Sequence, residues 1–289
     1  MARSSGAYYV PHGSRWPLLG SIGLLTLVVS VGHVLNGETG FVTRLPWVGV
    51  GILVVMLFGW FGTVIRESVG GQYNAQVDGS FRLGMVWFIF SEVMFFAAFF
   101  GALFYTRTFD VPWLGGVGHG AVTNDILWPN FHAAWPSNGP GNLGGDFRTI
   151  PAFDVPLVNT LLLLSSGVTI TVAHWALKKG QRAKLILFLA ATIALGVSFL
   201  TLQAHEYIHA YTELNLTLGS GIYGSTFFML TGFHGLHVTL GAIMLTVILL
   251  RSMKGHFDEH HHFGFEAVAW YWHFVDVVWL LLFVFVYVI

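Results

Sequence analysis

The chain contains no cysteine and carries charge on only 9% of its 289 residues. Without thiols, it cannot form disulfides, iron–sulfur clusters, thiolate copper centres or covalently attached c-type haem, though this absence does not report the redox compartment. So few charges beside 55% hydrophobic residues cannot coat a soluble domain of this size, which makes the chain an integral membrane protein. No sign of charge is in excess either. The net charge of −1 gives no basic footprint for nucleic acid, and the only run of like charges is Lys178 to Lys184. Also missing are an internal repeat and the short alternating segments of a membrane barrel; the apolar windows are continuous, which predicts an all-α polytopic protein. Residues 1–15 lack the apolar core of a cleavable signal, so the first span is expected to insert directly.

What is present is a series of windows long enough to cross ~30 Å of hydrocarbon. They run from Trp16 to Leu35, Leu45 to Ile65, Leu83 to Thr106, Val155 to Leu177, Leu185 to Ala204, Ile222 to Leu250 and Glu266 to Ile289. The first two read as a helical hairpin closed by polar, Gly-rich turns. The expected division is residues 1–66 with spans one and two, an inner linker 67–82, and residues 83–289 with spans three to seven. Residues 107–154, rich in Gly, Pro, Asn and Trp, are read as a water-side loop on the outer face. With the N-terminus inside, ten cations (Arg3, Arg15, Arg66, Arg82, Lys178, Lys179, Arg182, Lys184, Arg251, Lys254) face inward and three (Arg44, Arg107, Arg148) face outward, which accounts for all 13. The positive-inside rule favours that orientation, with the C-terminus outside.

The stretch from Phe263 to Trp279, FGFEAVAWYWHFVDVVW, has the weight of a span yet carries Glu266, His273 and Asp276. At 100° per residue Glu266, Trp270 and His273 fall on one stripe and Trp272, Asp276 and Trp279 on the next. An ionised group at the bilayer centre costs at least ~2.5 kcal/mol, so both stripes are expected to face protein or water. Glu92 lies about 15 Å along span three, and His234 and His237 lie at similar depth in span six. Glu92 is therefore expected to meet a span-six histidine or another polar partner. It reads equally as a packing group and as a proton relay. His273 and Asp276 read as packing or subunit contact, and His234 and His237, among Gly232, Gly235 and Gly241, as structural. His260, His261 and His262 read as solvated or interfacial, and His205 and His209 as a less favoured surface metal pair; no metal site is expected. Arg66, Glu67, Arg251, Lys254 and His256 cluster at inner helix ends. They fit either snorkelling or capture of a lipid phosphate, with Trp60 beside the acyl chain.

Taken together, VIRES (Val64 to Ser68), FSEVMFF (Phe90 to Phe96), PLVNT (Pro156 to Thr160), SGVTIT (Ser166 to Thr171), LQAHEY (Leu202 to Tyr207), YGSTFF (Tyr223 to Phe228), TGFHGLHV (Thr231 to Val238) and the Phe263–Trp279 stretch closely resemble subunit III of the haem–copper cytochrome c oxidases. The resemblance implies seven helices, with helices 1–2 and 3–7 in two bundles around a V-shaped cleft that holds phospholipid. It implies no haem or copper in this chain; those belong to subunits I and II, which pass electrons from cytochrome c to oxygen. Subunit III stabilises subunit I, sustains proton uptake and has been linked to oxygen access. By position, Glu92 matches the family's intramembrane acid, and Trp60, Glu67, Arg251 and His256 its lipid-binding residues. SVGGQYNA after Glu67 departs from a pattern in which relatives often place histidines, which puts lipid contacts from Tyr73 and Asn74 in doubt. The long 107–154 loop points to a bacterial inner membrane ahead of a mitochondrial one. The presence of both first helices favours cytochrome c over quinol as donor. Competing readings are a proton or divalent-metal transporter and an autonomous haem enzyme with His234 and His273 as axial ligands.

Overall fold

The computed structural model describes residues 13–289, which fall into two compact units that part between Phe81 and Arg82. Arg3 in the cation count, and residues 1–12 of the expected N-terminal segment, lie outside the described residues. No strand occurs among the described residues, and seven helical stretches are long and apolar enough to cross a membrane.

In the first unit, α1 (Trp16–Leu35) and α2 (Leu45–Val69) form a hairpin whose close approach depends on small residues. A Cβ added at Gly49 would lie 2.8 Å from the Leu27 backbone nitrogen, and one at Gly23 3.0 Å from the Leu53 side chain. Trp16 lies against Gly59, and its indole N–H donates to Thr63 Oγ1 at 3.2 Å. α2 carries on to Val69, and α3 (Ala75–Tyr105) already starts at Ala75, so the expected linker 67–82 contracts to residues 70–74. Gly71, at φ +65°, lets the chain leave α2, and Asn74 Oδ1 accepts the Val77 N–H at 2.9 Å to cap α3.

In the second unit, α3 continues through a wide turn at Thr106–Asp110 into α4 (Val111–Leu114), so the expected water-side loop opens as helix. α5 (Ala121–Leu127) follows, and Asn124 Nδ2 donates to the carbonyls of Leu114, Trp128 and Phe131. The remainder of this segment is tied to residues 214–223: the Arg148 N–H donates to Leu214 O, the Tyr223 N–H to Ser137 O, and Phe147 stacks on the Tyr223 ring. α6 (Val155–Lys178), α7 (Arg182–Thr212), α8 (Gly221–Met253) and α9 (Phe263–Leu282) make the core. α7 extends eight residues beyond the expected end of span five, from Ala204 to Thr212.

α9 lies at the centre of this core: half of its apolar window is buried, against 6% for α2. Trp272, fully buried, donates its indole N–H to Ser166 Oγ of α6 at 2.8 Å. Its ring lies where side chains at Gly196 of α7 and Gly241 of α8 would have to be; a Cβ there would come within 2.7 and 2.8 Å of ring carbons. Trp279, seven residues on, repeats the arrangement, donating to Thr160 Oγ1 at 2.9 Å and meeting Phe199 of α7 edge-on at 4.7 Å.

A rigid indole cannot yield to an added methyl. Gly196→Ala is therefore expected to destabilise the bundle by about 1–3 kcal/mol. Trp272→Ala should cost about 3–5 kcal/mol. Thermal unfolding in detergent, followed by circular dichroism, checks both.

Candidate functional site

Beside its tryptophans, α9 turns Tyr271 and Phe274 toward α3 and α8. Tyr271 stacks with Phe88 and with His237, and its hydroxyl donates to the His237 carbonyl at 3.3 Å. Phe95 and Phe96 of α3 close around the imidazole, with ring centroids 5.8 and 5.0 Å away. In this aromatic box His237 Nε2 lies 2.9 Å from Glu92 Oε2, so α3 and α8 meet through the expected acid–histidine contact.

The other ring nitrogen, Nδ1, is 2.6 Å from the Phe233 carbonyl and so carries a hydrogen. Nε2 of a neutral ring would then present a lone pair to the carboxylate, and two acceptors do not sit 2.9 Å apart unless a proton lies between them. The pair therefore holds one proton more than a neutral imidazole plus a carboxylate, as either imidazolium–carboxylate or imidazole–carboxylic acid. In either form its net charge is zero, which suits a group inside a membrane.

His234 does not join this pair. It is 1% exposed, with neither ring nitrogen hydrogen-bonded, and packs against Phe199 and Trp279 at 5.7 and 5.2 Å. His273, by contrast, lies on a half-exposed face of α9. The two stripes of α9 differ in this chain: the His273 side chain is 46% exposed, whereas Trp272, Asp276 and Trp279 are buried. His273 Nδ1 is 3.7 Å from Asp276 Oδ2, its Nε2 is 3.3 Å from Thr171 Oγ1, and Asp276 Oδ1 has no partner. Gly167 makes room for this carboxylate, since a Cβ there would sit 2.5 Å from Oδ2.

At the basic helix ends, Arg66 folds back on α2, donating to Gly62 O and Thr63 Oγ1. Glu67 accepts the Tyr73 hydroxyl at 2.7 Å, and Trp60 is half exposed, stacked on Phe61. In the second unit Arg251 lies over the Phe257 ring at 4.3 Å with its buried Nε unpartnered, and His256 Nδ1 is likewise buried without a partner. His209, of the His205 and His209 pair, has its Nδ1 3.3 Å from Glu213 Oε2. The expectation for the 260–262 loop holds only for His260 and His261, which are exposed. His261 and the backbone N–H groups of both residues bond Asp258, holding its carboxyl below the usual range. His262 is 7% exposed, because it caps the start of α9 and is drawn into the bundle with Glu266.

Sequence reasoning missed two clusters. His174, His262, Glu266 and Arg82 converge at the basic end, with Arg82 bonded to Glu266 Oε2. Near the other end Glu206 Oε1 accepts Tyr287 OH at 2.7 Å and Gln203 Nε2 at 3.0 Å. Gln203, Glu206 and Ala210, at helical spacing and all buried, are the signal that α7 continues past Ala204.

Fold and site together define a polytopic α-helical membrane protein that turns acids and histidines into its helix bundle, Glu92 toward His237 and Glu266 toward His174 and His262. The protein-family model described as Cytochrome c oxidase subunit III matches residues 6–289. Relatives named cytochrome c oxidase subunit 3 include those of Formosania lacustris, 43% identical, Danio rerio, 42%, and Sus scrofa, 41%, each aligned over 99% of this chain and 98% of its own length. The chain belongs to the cytochrome c oxidase subunit III family. It is thus a multi-pass subunit of a respiratory oxidoreductase complex.

A proton shared between Glu92 and His237 has an infrared consequence. Difference spectra of Glu92→Gln against wild type should change in the protonated-carboxyl or imidazolium region, and His237→Leu should remove the same feature. A spectrum unaffected by His237→Leu would show that the two groups do not share a proton.

Proposed function

We propose that this chain is the non-redox core subunit of a proton-pumping haem–copper oxidase. In this reading it stabilises the catalytic subunit, sustains proton uptake, holds structural phospholipid and serves oxygen access. Electrons pass from cytochrome c to oxygen through haem and copper in partner subunits I and II. The observation that carries the reading is the Glu92–His237 pair, 2.9 Å apart within an aromatic box. A neutral, proton-holding pair with no redox partner can tune proton supply and bundle rigidity, and it does not itself reduce oxygen.

Lipid binding is supported within each unit. Arg251 Nε and His256 Nδ1 are buried polar atoms without partners, beside an aromatic ring, which suits an anionic head group. Arg66 and Trp60, at the basic end of α2, offer a cation and a half-exposed ring of the same kind. A groove of about 460 Å³ on α6 and α9, lined by Leu164, Val168, Trp175, His273 and Asp276, supports the reading of His273 and Asp276 as a subunit-contact surface. The positive-inside count supports an N-inside, C-outside orientation in an inner membrane. The relatives compared are animal proteins, which favours the mitochondrial membrane over the bacterial one suggested by the loop length.

In the purified oxidase, Glu92→Gln keeps a hydrogen-bonding amide toward His237. It should leave assembly intact and change the initial rate of electron transfer by less than about twofold. Abolished oxygen reduction with normal assembly would make the acid essential and overturn the modulatory role. Arg251→Ala should lower the phospholipid retained per complex, measured by mass spectrometry. Unchanged lipid content would remove Arg251 from the lipid site.

A further inference from the structure

We propose that His174, His262 and Glu266 form a binding site for a divalent transition metal ion of the zinc type. The site joins α6 to the start of α9 at the basic end of the second unit. His262 Nε2 lies 3.3 Å and His174 Nε2 3.6 Å from Glu266 Oε1, and the three atoms are all within 4.8 Å of one another. Around a tetrahedral zinc with ligand bonds of about 2.0–2.1 Å, neighbouring ligand atoms stand about 3.3–3.4 Å apart. Both histidine–carboxylate separations are close to that edge length.

Two further observations point to a cation. His262 Nδ1 lies 3.1 Å from the Asp258 carbonyl and so takes the hydrogen, which leaves Nε2 with a lone pair. That lone pair and the carboxylate oxygen face each other with no hydrogen bond formed, and His174 Nε2 is also buried without a partner. A lone pair and a carboxylate oxygen that converge repel one another unless something positive lies between them. Arg82 is bonded to the other carboxylate oxygen, Oε2, where it orients Glu266 with Oε1 toward the imidazoles. Lys178, whose charge acts on His174, works against binding, and the carboxylate offsets it. Two imidazoles and one carboxylate, without thiolate, suit zinc better than magnesium or calcium, which prefer all-oxygen shells. The fourth position is left to water.

This differs from the Glu92–His237 pair, in which one imidazole and one carboxylate at 2.9 Å are satisfied by one proton. A metal here departs from the expected solvated or interfacial role of the 260–262 loop and from the expected absence of a metal site.

The test uses the whole oxidase complex, stripped with chelator and then equilibrated with zinc or, as control, magnesium. Anomalous scattering at the zinc edge should place one ion within about 2.0–2.2 Å of all three ligand atoms. Zinc affinity at this site should fall at least about tenfold in His174→Gln and in His262→Gln. Haem spectrum and subunit composition are recorded for each variant, so that zinc binding is compared only between assembled complexes. Absence of zinc between these side chains at saturating metal would overturn the proposal, as would equal affinity in the wild type and both variants. The acceptors would then share protons.

Discussion

The indole of Trp272 is the constraint on which the second unit depends. It is fully buried, bonded to α6 through Ser166 and lodged where α7 and α8 have only Gly196 and Gly241. One side chain therefore fixes the distance of three helices from α9. Trp279 repeats this two turns along, and its partner on α6 is Thr160, six residues before Ser166. The reversed order of the two pairs makes α6 and α9 antiparallel and sets their register. In lipid there is little hydrophobic drive between helices, so close packing onto small residues and buried hydrogen bonds have to supply the specificity. Glycines opposite a rigid ring, with hydroxyls opposite its N–H, provide both.

That register brings together residues far apart in sequence. His174 lies eight residues beyond Ser166 on α6, and Glu266 lies six before Trp272 on α9, about 12 and 9 Å along their axes. An antiparallel pair fixed at Trp272 therefore places them at the same level. The same rigid ring system holds Tyr271 and Phe274 against α3 and α8, where they close the box around Glu92 and His237. Both acid–histidine sites are consequences of how α9 is anchored.

The spans were legible because lipid permits few alternatives. A continuous apolar window of about 20 residues, bounded by turn residues, has little choice but to be a helix. The Glu92–histidine contact was legible for a related reason: helix rise converts residue number into depth, and few polar groups share that depth. Hydropathy was a poorer guide at helix ends. Span five was closed at Ala204 because polarity rises there, yet α7 continues to Thr212 and turns Gln203 and Glu206 inward to Tyr287. The 67–82 linker was likewise too long, since polar residues at a membrane surface continue a helix as readily as they end it. His174 carried no local signal. Its relation to Glu266 follows from the Trp272–Ser166 pair, and which hydroxyl an indole finds is a matter of three-dimensional packing.

The acids of the second unit divide by where their partners come from. Glu92 faces a histidine on another helix, and Glu266 faces His174 on α6 as well as His262 at the start of its own helix; these contacts couple α3 to α8 and α6 to α9. Asp276 has its histidine one turn back on α9, leaving Oδ1 unpaired beside an apolar groove. An acid joined across helices resists separation, because parting them leaves an unpaired polar group in lipid, whereas an acid paired within its own helix holds no helix in place. The first arrangement suits the interior of a subunit that must stay rigid. The second leaves hydrogen-bonding capacity on an apolar face, the combination expected where a neighbouring helix completes the packing. The polar groups along α9 thus serve cohesion at one end of the helix and contact along its flank, although as a bare string they look like one catalytic array.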